Sequence, residues 1–306
     1  MDSRARIYVA GGNTMTGRAL LARLADRGFT AAAGAEEPDL HDRPAVDRFF
    51  DRTRPEYVFV VAGETAGIGG NQQRPADLMI DSLAIASHLI PAAARHQVKK
   101  LLYLASSCIY PKEAPQPLQV SSLWGGPLEP TSAPYAVAKL AGVTLCDAHR
   151  RQHGAPFVSA IGADVYGPGD DFSPDNSHVV GALIRRIDEA HAAGAASVEV
   201  WGSGTPRREF IYVDDLADAC IFVMNRYDGP EPINVGVGTH TSIAELAAAI
   251  RDVVGYGGEI RFDRGRPDGM PFKGLDSTTL HNLGWRPAWP LRRGLERTLE
   301  WYRASR

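Results

Sequence analysis

The feature that most constrains this chain is a regular alternation of short apolar strands with amphipathic helices through its first half. Apolar runs bounded by turn residues predict strands at 6–10, 57–62, 100–105 and 157–162. Helical spacing of apolar residues predicts helices at about 18–27, 44–53, 76–96 and 134–152. Strands that alternate with helices build a parallel sheet covered on both faces, so the predicted fold class is α/β.

Beyond residue 166 the alternation weakens and proline and glycine become frequent, which indicates a second, smaller α/β region. A helix at about 178–193 precedes a strand at 197–201, and another helix is expected near 242–254. The stretch from Phe210 to Ala219 is typical of a strand or turn leading into a helix that returns to the first region. We therefore predict one domain formed by 1–165 with 206–236, and a second formed by 166–205 with 237–306.

Charge and composition exclude several classes of function. The 306-residue chain has a formal net charge of -3 with scattered basic residues, unlike a protein that must neutralise nucleic-acid phosphates. It has no apolar run of about 18 residues, so no membrane-spanning segment is expected. Its three cysteines cannot all pair and no secretory leader is recognised, which predicts a reducing, cytoplasmic setting. A soluble enzyme acting on a small molecule is favoured, with no metal site predicted.

A glycine turn links the first predicted strand to the first helix. It runs Gly-Gly-Asn-Thr-Met-Thr-Gly from 11 to 17. Glycines here let a pyrophosphate approach the helix N-terminus, where free amide groups and the helix dipole favour an anion. We predict a dinucleotide-binding sheet of the doubly wound Rossmann type, with a turn that binds no ligand as the alternative. The predicted cofactor contacts in the turn are Gly11, Asn13, Thr14, Met15 and Gly17.

Two acidic residues, Glu36 and Glu37, follow the predicted second strand at about 29–34. A carboxylate at this place accepts hydrogen bonds from the adenosine ribose hydroxyls and repels a 2′-phosphate. No arginine lies between Arg27 and Arg43 to hold that phosphate. NAD is therefore favoured over NADP, with Glu36 as the predicted ribose contact; two solvated loop charges are the alternative.

Tyr135 and Lys139 are four residues apart and so share one helix face. A phenol exchanges protons poorly at neutral pH unless a nearby ammonium stabilises its anion. The fourth predicted strand leads into Ser106 and Ser107, which places hydroxyls at the sheet edge where open α/β folds bind ligands. Because lysine occurs only at 99, 100, 112, 139 and 273, the ammonium beside Tyr135 is expected to have a specific role.

These features resemble the extended short-chain dehydrogenase/reductase family, and within it the GDP-L-fucose synthase branch. The resemblance covers nearly the whole chain. The stretches that carry it are 106–113 (Ser-Ser-Cys-Ile-Tyr-Pro-Lys-Glu), 126–131 (Gly-Pro-Leu-Glu-Pro-Thr), 134–142 (Pro-Tyr-Ala-Val-Ala-Lys-Leu-Ala-Gly), 166–170 (Tyr-Gly-Pro-Gly-Asp), 176–180 (Asn-Ser-His-Val-Val) and 201–219 (Trp-Gly-Ser-Gly-Thr through Leu-Ala-Asp-Ala).

The resemblance implies a nucleotide-sugar epimerase/reductase that acts on a GDP-4-keto-6-deoxy-hexose. By that resemblance Tyr135 donates a proton to the sugar C4 oxygen, Lys139 lowers its pKa and holds the nicotinamide ribose, and Ser106 binds the same oxygen. Cys108 and His178 match the acid–base pair that epimerises the carbons beside the ketone. The alternatives are a small buried cysteine and a histidine that caps a helix.

The resemblance also implies further contacts. To the cofactor, besides Tyr135 and Lys139, these are Ala62, Gly63, Ala105, Asp164, Val165 and His178. To the substrate they are Ser107, Arg186, Trp201, Arg208 and Asp268, since arginine forks suit a diphosphate. A surface ion pair is the alternative for either arginine. A homodimer through the helices at 78–96 and 134–152 is expected, because small residues there permit close packing.

Departures from the family pattern cluster at the cofactor. Asn13 and Thr14 replace a basic residue and a glycine, Glu64 stands at a usually basic position, and Gly-Ala-Asp at 162–164 replaces Pro-Thr-Asn. The acid–base residues are intact, so two enzymatic interpretations remain. The first is a reductase with a dissociable NAD or NADP cofactor, and the second is an epimerase of a nucleotide-hexose or heptose that retains NAD without net reduction. A non-catalytic dinucleotide-binding sensor is the third interpretation.

Overall fold

A computed structural model describes residues 1–2, 4–32, 37–265 and 268–306. In chain order the strands are β1 (Ile7–Ala10), β2 (Ala31–Ala32), β3 (Tyr57–Val60), β4 (Lys100–Ser106), β5 (Phe157–Gly162), β6 (Asp164–Tyr166), β7 (Ser197–Trp201), β8 (Arg207–Arg208), β9 (Phe210–Tyr212), β10 (Ile233–Val235), β11 (Thr241–Ser242), β12 (Glu259–Asp263) and β13 (Phe272–Lys273). The helices are α1 (Met15–Asp26), α2 (Arg43–Thr53), α3 (Ile68–Gln73), α4 (Pro75–Arg95), α5 (Ala133–His153), α6 (Val179–Ala192), α7 (Val213–Arg226), α8 (Ile243–Val254), α9 (Thr278–Asn282) and α10 (Leu291–Ala304).

The central sheet is parallel, with its strands in the order β10-β5-β4-β3-β1-β2. The strands β1 and β5 are buried along their whole length, as expected for strands covered on both faces. The strand order reverses at β1, which lies between β2 and β3. At such a switch point a crevice opens at the carboxyl ends of the strands and binds ligands. This arrangement confirms the predicted α/β, doubly wound fold class.

Helices cover both faces of the sheet. The helix α4 packs against α2 and α5, whereas α1 packs against α7. The limits of α5 follow from its sequence, because Pro134 occupies the first turn, where no intrahelical N–H bond is needed, and Gly154 ends it with φ +64. The helix therefore holds Tyr135 and Lys139 in its first two turns, against the sheet.

A second group of buried side chains lies where α6, α8 and α10 meet the paired strands β7 and β12. The strand β9 and helix α7 return the chain to the first core, where Leu216 and Ile221 pack, as the sequence predicts. Leu275, Leu280 and Trp285 pack there too, although they lie within the range predicted for the second domain. The domain boundaries stay a prediction.

Among the residues that the structure describes, one helix, α4, is long and apolar enough to cross a bilayer, although no membrane-spanning segment was expected from the sequence. Core helices of soluble proteins meet the same criterion, and 44% of its apolar window is buried inside the fold. Ile85, Leu89 and Ile90 belong to the first core, and the helix packs along α5. Its apolar character is therefore explained by its place against the sheet.

Candidate active site

The glycine turn closes tightly against the end of β3. Gly11 has φ +89, and a Cβ there would lie 2.5 Å from the Ala62 Cα, so only glycine fits. A Cβ on Gly17 would lie 1.9 Å from the Gly11 carbonyl oxygen. The Thr14 hydroxyl donates to the Gly11 carbonyl at 2.8 Å and accepts from Gly17 N at 3.0 Å, which caps α1. The turn thus presents the start of α1 to the crevice, and its cofactor contacts stay predictions.

A carboxylate occupies the glycine turn, and it belongs to Glu37. Its Oε1 accepts a hydrogen bond from Gly11 N at 2.6 Å and another from the Tyr8 hydroxyl at 3.1 Å. Burial raises the pKa of Glu37, and these hydrogen bonds oppose the rise. Glu36, the predicted ribose contact, lies outside the described residues. The structure thus places one of the two glutamates of this loop at the turn, and the ribose contact of Glu36 stays a prediction.

Tyr135 and Lys139 are both 7% exposed on the inner face of α5. Lys139 Nζ donates to the Ala62 carbonyl at 3.2 Å and lies 5.9 Å from the Tyr135 ring centroid. Burial lowers the pKa of Lys139 to about 8, opposed by the charge of Asp81. Burial also raises the pKa of Tyr135. The lowering of the Tyr135 pKa that we expected from Lys139 is not seen: desolvation of the phenolate raises this pKa, and the group that lowers it is Thr65.

A polar space beside Lys139 fits the ribose of a nicotinamide nucleotide. Gly63 lines it with φ +120, and a Cβ there would lie 3.2 Å from Lys139 Nζ and 3.5 Å from Ser82 Oγ. Ser82 is 2% exposed, and its hydroxyl has no hydrogen-bond partner among the described residues. A buried hydroxyl without a partner is costly unless a ligand or water satisfies it. Gly63 and Lys139 were expected at the cofactor, whereas sequence reasoning missed Ser82.

Thr65 joins Tyr135 to His178. The Thr65 hydroxyl hydrogen-bonds to the Tyr135 side chain and lowers its pKa, and its Oγ1 lies 3.4 Å from His178 Nε2. His178 occupies the N-cap position of α6 but makes no side-chain capping bond, so it is not the helix cap of the alternative interpretation. Burial lowers the pKa of His178, opposed by the charge of Asp164. Sequence reasoning missed Thr65, whose signal is a hydroxyl shortly after the end of β3.

Cys108 follows the end of β4, where the chain makes a short 3-10 turn over Ser107–Ile109. Cys108 N donates to Ser106 Oγ at 3.4 Å, which holds the turn against the strand end. The Cys108 thiol is half-buried, whereas burial raises the pKa of both Cys146 and Cys220 to about 12. A charged Cys108 also contributes, after burial, to the raised pKa of Tyr135. Cys108 therefore has access to the crevice and lies close to the phenol.

A buried ion pair extends the site away from Tyr135. Asp164, at the start of β6, places its Oδ1 2.5 Å from Lys273 Nζ at the end of β13. Ser107 Oγ lies 3.4 Å from the same Oδ1. Lys273 holds the pKa of Asp164 below its usual range against the effect of burial. The other predicted cofactor residues, Ala105 in β4 and Val165 in β6, are the chain neighbours of Ser106 and Asp164.

Two of the predicted substrate contacts, Trp201 and Arg208, lie at the ends of β7 and β8, and a third, Asp268, lies between β12 and β13. Arg208 Nη1 donates to the Met270 carbonyl at 2.7 Å, and burial lowers the Arg208 pKa. The Asp268 carboxylate accepts from Ser203 N at 2.6 Å and from the Ser203 hydroxyl at 2.8 Å. Trp201, at the end of β7, is 60% exposed and two residues from Ser203. Arg208 connects these residues to the ion pair of Asp164 and Lys273, because the charge of Asp164 raises the Arg208 pKa.

Arg186 lies half-buried on α6, and burial lowers its pKa. Two carboxylates on α6 are engaged by other arginines, and the charge of Glu199 opposes the effect of burial on the Arg186 pKa. Asp188 pairs with Arg303 at 2.7 Å, and Glu189 pairs with Arg185 at 3.1 Å. The contact of Arg186 with substrate stays a prediction.

The parallel sheet, the glycine turn and the buried tyrosine–lysine pair together define a nucleotide-dependent enzyme of the epimerase and reductase class. The chain belongs to the NAD dependent epimerase/dehydratase family, which matches it over residues 7–236. It is an NAD(P)-dependent family, so a nicotinamide dinucleotide is the cofactor class.

Within this family the chain is similar to GDP-L-fucose synthases over nearly its full length. It is 46% identical over 303 residues to GDP-L-fucose synthase 1 of Arabidopsis thaliana, covering 98% of this chain and 94% of that protein. It is 45% identical over 311 residues to GDP-L-fucose synthase of Escherichia coli K12, covering 98% and 97%. The resemblance carried by residues 106–113 and 134–142 is thereby confirmed.

The chain is also similar to the solved structure of a reductase named for a larger sugar. A GDP-6-OMe-4-keto-L-xylo-heptose reductase from Campylobacter jejuni has a TM-score of 0.93 at 31% identity, covering 100% of this chain and 99% of that one. The fold, including the smaller region, is therefore shared with an enzyme named for reducing a GDP-linked keto sugar.

Proposed function

We propose that the chain is a GDP-sugar epimerase/reductase that takes a GDP-4-keto-6-deoxy-hexose, moves protons on the carbons beside the ketone and then reduces the ketone. The observation that carries this proposal is one crevice with two sets of proton-exchanging groups. Ser106, Tyr135 and Lys139 form the first set, and Cys108 and His178 form the second. The GDP-L-fucose synthases among its relatives supply the substrate class.

For the reduction, Tyr135 is the proton donor to the C4 oxygen, and Ser106 donates a hydrogen bond to the same oxygen. A bound nicotinamide dinucleotide supplies the hydride. Burial of Tyr135 disfavours loss of its proton until the substrate oxygen takes it. Lys139, with a pKa of about 8, still carries its charge at neutral pH and stabilises the tyrosinate that remains.

For the epimerisation, the 4-ketone makes the hydrogens on C3 and C5 acidic. Removing one of them leaves an enolate whose oxygen takes the hydrogen bonds of Ser106 and Tyr135. Burial lowers the pKa of His178, so its imidazole is neutral at pH 7 and able to accept a proton. Cys108 is half-buried beside Tyr135 and serves as the acid that returns a proton.

The diphosphate of the substrate is assigned to Arg186 and Arg208, whose forked guanidinium groups suit two phosphates. Trp201 is exposed at the rim and suits stacking on a guanine ring. Asp268 is assigned a substrate contact from the loop beside Arg208, and Ser107 a contact from the turn before Cys108. The burial of Arg208 supports this, because a buried guanidinium gains most from an anionic partner.

We infer NAD as the preferred cofactor, from the carboxylate of Glu37. It accepts the hydrogen bond of Gly11 N within the turn that approaches the pyrophosphate and adenosine ribose. A 2′-phosphate brought to this place meets a negative charge. Calorimetric titration with NAD and NADP tests the inference. We expect tighter binding of NAD, and clearly tighter binding of NADP would contradict it.

The same carboxylate favours a second candidate, an epimerase that retains NAD and returns the hydride with no net reduction. The two candidates differ in their need for reductant. We expect one reduced cofactor to be consumed for each molecule of GDP-4-keto-6-deoxy-mannose converted, measured by absorbance at 340 nm and by chromatography of the sugar nucleotide. Turnover of a GDP-sugar without added reductant, by protein that carries bound NAD, would favour the second candidate.

We also propose a homodimer in which α4 and α5 of each copy meet. Exposed apolar side chains lie on this side of the molecule, with Ile80 63%, Trp124 73% and Val137 43% exposed. Trp124 and Val137 line one apolar groove with Leu128 and Ala141. Monomeric proteins rarely expose apolar surface of this kind, so a second copy is the expected cover.

We also propose that the protein is cytoplasmic, because its cysteines do not form disulfides. Cys108, Cys146 and Cys220 are all free thiols in the structure. Free thiols persist in reducing compartments, and the GDP-L-fucose synthases among the relatives are metabolic enzymes.

A further inference from the structure

Two opposite charges face one space beside the end of β3, and each of them is bound elsewhere. Lys139 Nζ donates to the Ala62 carbonyl at 3.2 Å, and Asp81, on α4, accepts from Glu64 N through its Oδ2 at 2.6 Å. A Cβ built on Gly63 would lie 3.2 Å from Lys139 Nζ and 3.6 Å from Asp81 Oδ2. The glycine therefore leaves a space that is bounded by an ammonium and a carboxylate.

The Asp81 carboxylate is held on its other side by His41, which lies in the turn before α2. His41 Nε2 is 2.8 Å from Asp81 Oδ1. Since a carboxylate only accepts hydrogen bonds, the imidazole carries a proton on Nε2 and donates it. His41 N in turn donates to Asp39 Oδ1 at 2.9 Å, which fixes the turn. Both oxygens of Asp81 are thus held in place, and Oδ2 keeps a further lone pair for a donor in the space.

A third polar group at the same space is the hydroxyl of Ser82. Ser82 is 2% exposed, and its Oγ lies 3.5 Å from the Cβ position of Gly63, with no hydrogen-bond partner among the described residues. A buried hydroxyl of this kind is costly unless a ligand or water satisfies it. An anion in the space would be repelled by Asp81 and a cation by Lys139. The ligand that fits is therefore a neutral group that carries hydroxyls.

We propose that Asp81 is a cofactor-binding residue, which accepts a hydrogen bond from a hydroxyl of the nicotinamide ribose while Lys139 donates to the same ribose. A hydroxyl both donates and accepts, so one such group satisfies the carboxylate and the ammonium together. His41 is a positioning residue, because it acts on the ribose only through Asp81. The inference rests on the cofactor class of the family and is independent of the proposed sugar substrate.

Binding of cofactor fragments tests the proposal without substrate or turnover. ADP-ribose carries the second ribose of the dinucleotide and ADP lacks it, so comparing the two isolates this contact. Both are titrated calorimetrically into the full-length protein, with their 2′-phosphorylated forms in parallel. Asp81→Asn removes the charge with little change of shape, and Asp77→Asn, at an exposed carboxylate one turn earlier on α4, is the matched control. His41→Leu removes the donor that holds Asp81, whereas His41→Gln keeps one.

In Asp81→Asn we expect the Kd of ADP-ribose to rise about 10-fold, because a charged acceptor is lost, while the Kd of ADP stays within about 2-fold of wild type. In His41→Leu we expect a selective rise of about 3-fold for ADP-ribose. His41→Gln and Asp77→Asn should bind both fragments as wild type does.

Equal weakening of ADP-ribose and ADP, or no weakening of either, in folded Asp81→Asn would overturn the proposal. If Asp81→Asn does not fold, the selective loss in His41→Leu and its recovery in His41→Gln decide the matter. Selective loss of ADP-ribose binding in a chain that converts no GDP-keto sugar would contradict the proposed function alone.

Discussion

At the scale of single residues, Thr65 is the side chain through which the two proton-exchanging sets touch. Its hydroxyl has one proton, which it donates to the Tyr135 phenolate oxygen, and in the His178 tautomer with a proton on Nε2 its lone pairs accept from that nitrogen. The bond to Tyr135 stabilises the phenolate, so Thr65 makes Tyr135 a better proton donor. Thr65 is therefore a positioning residue for both halves of the proposed reaction.

Thr65→Val keeps the shape of the side chain and removes the hydroxyl. Loss of the bond raises the Tyr135 pKa, so we expect kcat to fall on the order of 10-fold while KM changes little. Burial keeps the proton on Tyr135 throughout the usable pH range, so the alkaline limb of the pH–rate profile, which follows Lys139 with its pKa of about 8, should stay at its wild-type position. Thr65→Ser, which keeps the hydroxyl, should restore wild-type kinetics. Equal kcat for Thr65→Val and wild type would exclude this role.

Individual residues show which parts of the site could be predicted from the sequence and which could not. Tyr135 and Lys139 were found because helical spacing fixes their shared face. Glu36 and Glu37 were both recognised after the second strand, but the sequence does not give the path of the loop that brings Glu37 to Gly11 N, and Glu36 lies outside the described residues. Lys273 is 109 residues from Asp164, and it reaches that carboxylate only because β13 pairs with β8. Such non-local pairing leaves no periodic pattern to read.

At the scale of elements, the glycine turn between β1 and α1 depends on two separate constraints at Gly11. The residue has φ +89, where an L side chain is strained, and its Cα faces the backbone of Ala62 at the end of β3. Gly28, after α1, shares the left-handed conformation with φ +76, but no described residue lies within 4 Å of a Cβ built there. Comparing substitutions at the two glycines therefore separates the cost of backbone strain from the cost of close packing.

Gly28→Ala should cost about 1 kcal/mol of unfolding free energy, from strain alone. Gly11→Ala should cost about 2–4 kcal/mol, because β1 and β3 must also move apart, and should weaken cofactor binding at least 10-fold. Urea unfolding followed by circular dichroism gives the first quantity and calorimetric titration the second. Equal losses of stability in the two variants would show that the contact with Ala62 does not constrain the turn.

The elements themselves were largely predictable. Buried strands and amphipathic helices follow from apolar runs and their spacing, so β1, β3, β4, β5 and the long helices α4 and α5 lie where expected. One difference is the second strand, expected at about 29–34, which the structure describes as a strand over Ala31–Ala32, with 33–34 outside the described residues. Its small residues carry little of the β-branched and aromatic signal that marks a strand.

At the scale of the whole molecule, the proposed dimer covers the apolar side formed by α4 and α5. Val137→Glu places a charge in the groove beside Trp124, and we expect it to convert the dimer into a monomer in sedimentation velocity. Leu283→Glu is the matched control, because Leu283 is 41% exposed at the end of α9 and is not among the residues that line the groove of Trp124 and Val137. A wild-type monomer, or a dimer that survives Val137→Glu, would remove the proposal.

The arrangement of the two regions could be anticipated only in outline. The return of α7 to the first core follows from the pattern at 210–219, but the packing of Leu280 and Trp285 against that core has no signal in the local sequence. Burial there depends on tertiary contacts between distant segments. The crevice, and with it the meeting of Cys108, Tyr135 and His178, is a property of the complete chain.

The central claim, that this crevice performs both proton exchange on carbon and reduction, is tested most directly by deuterium. GDP-4-keto-6-deoxy-mannose is incubated in D2O with reduced cofactor, and the label at C3 and C5 of the product is read by NMR and mass spectrometry. We expect wild type to give a reduced sugar labelled beside C4. Cys108→Ser should reduce the ketone with little label at one of these carbons, and Tyr135→Phe should lose reduction by at least ~1000-fold while label still enters the sugar. Full labelling in Cys108→Ser, or undiminished reduction in Tyr135→Phe, would contradict the account.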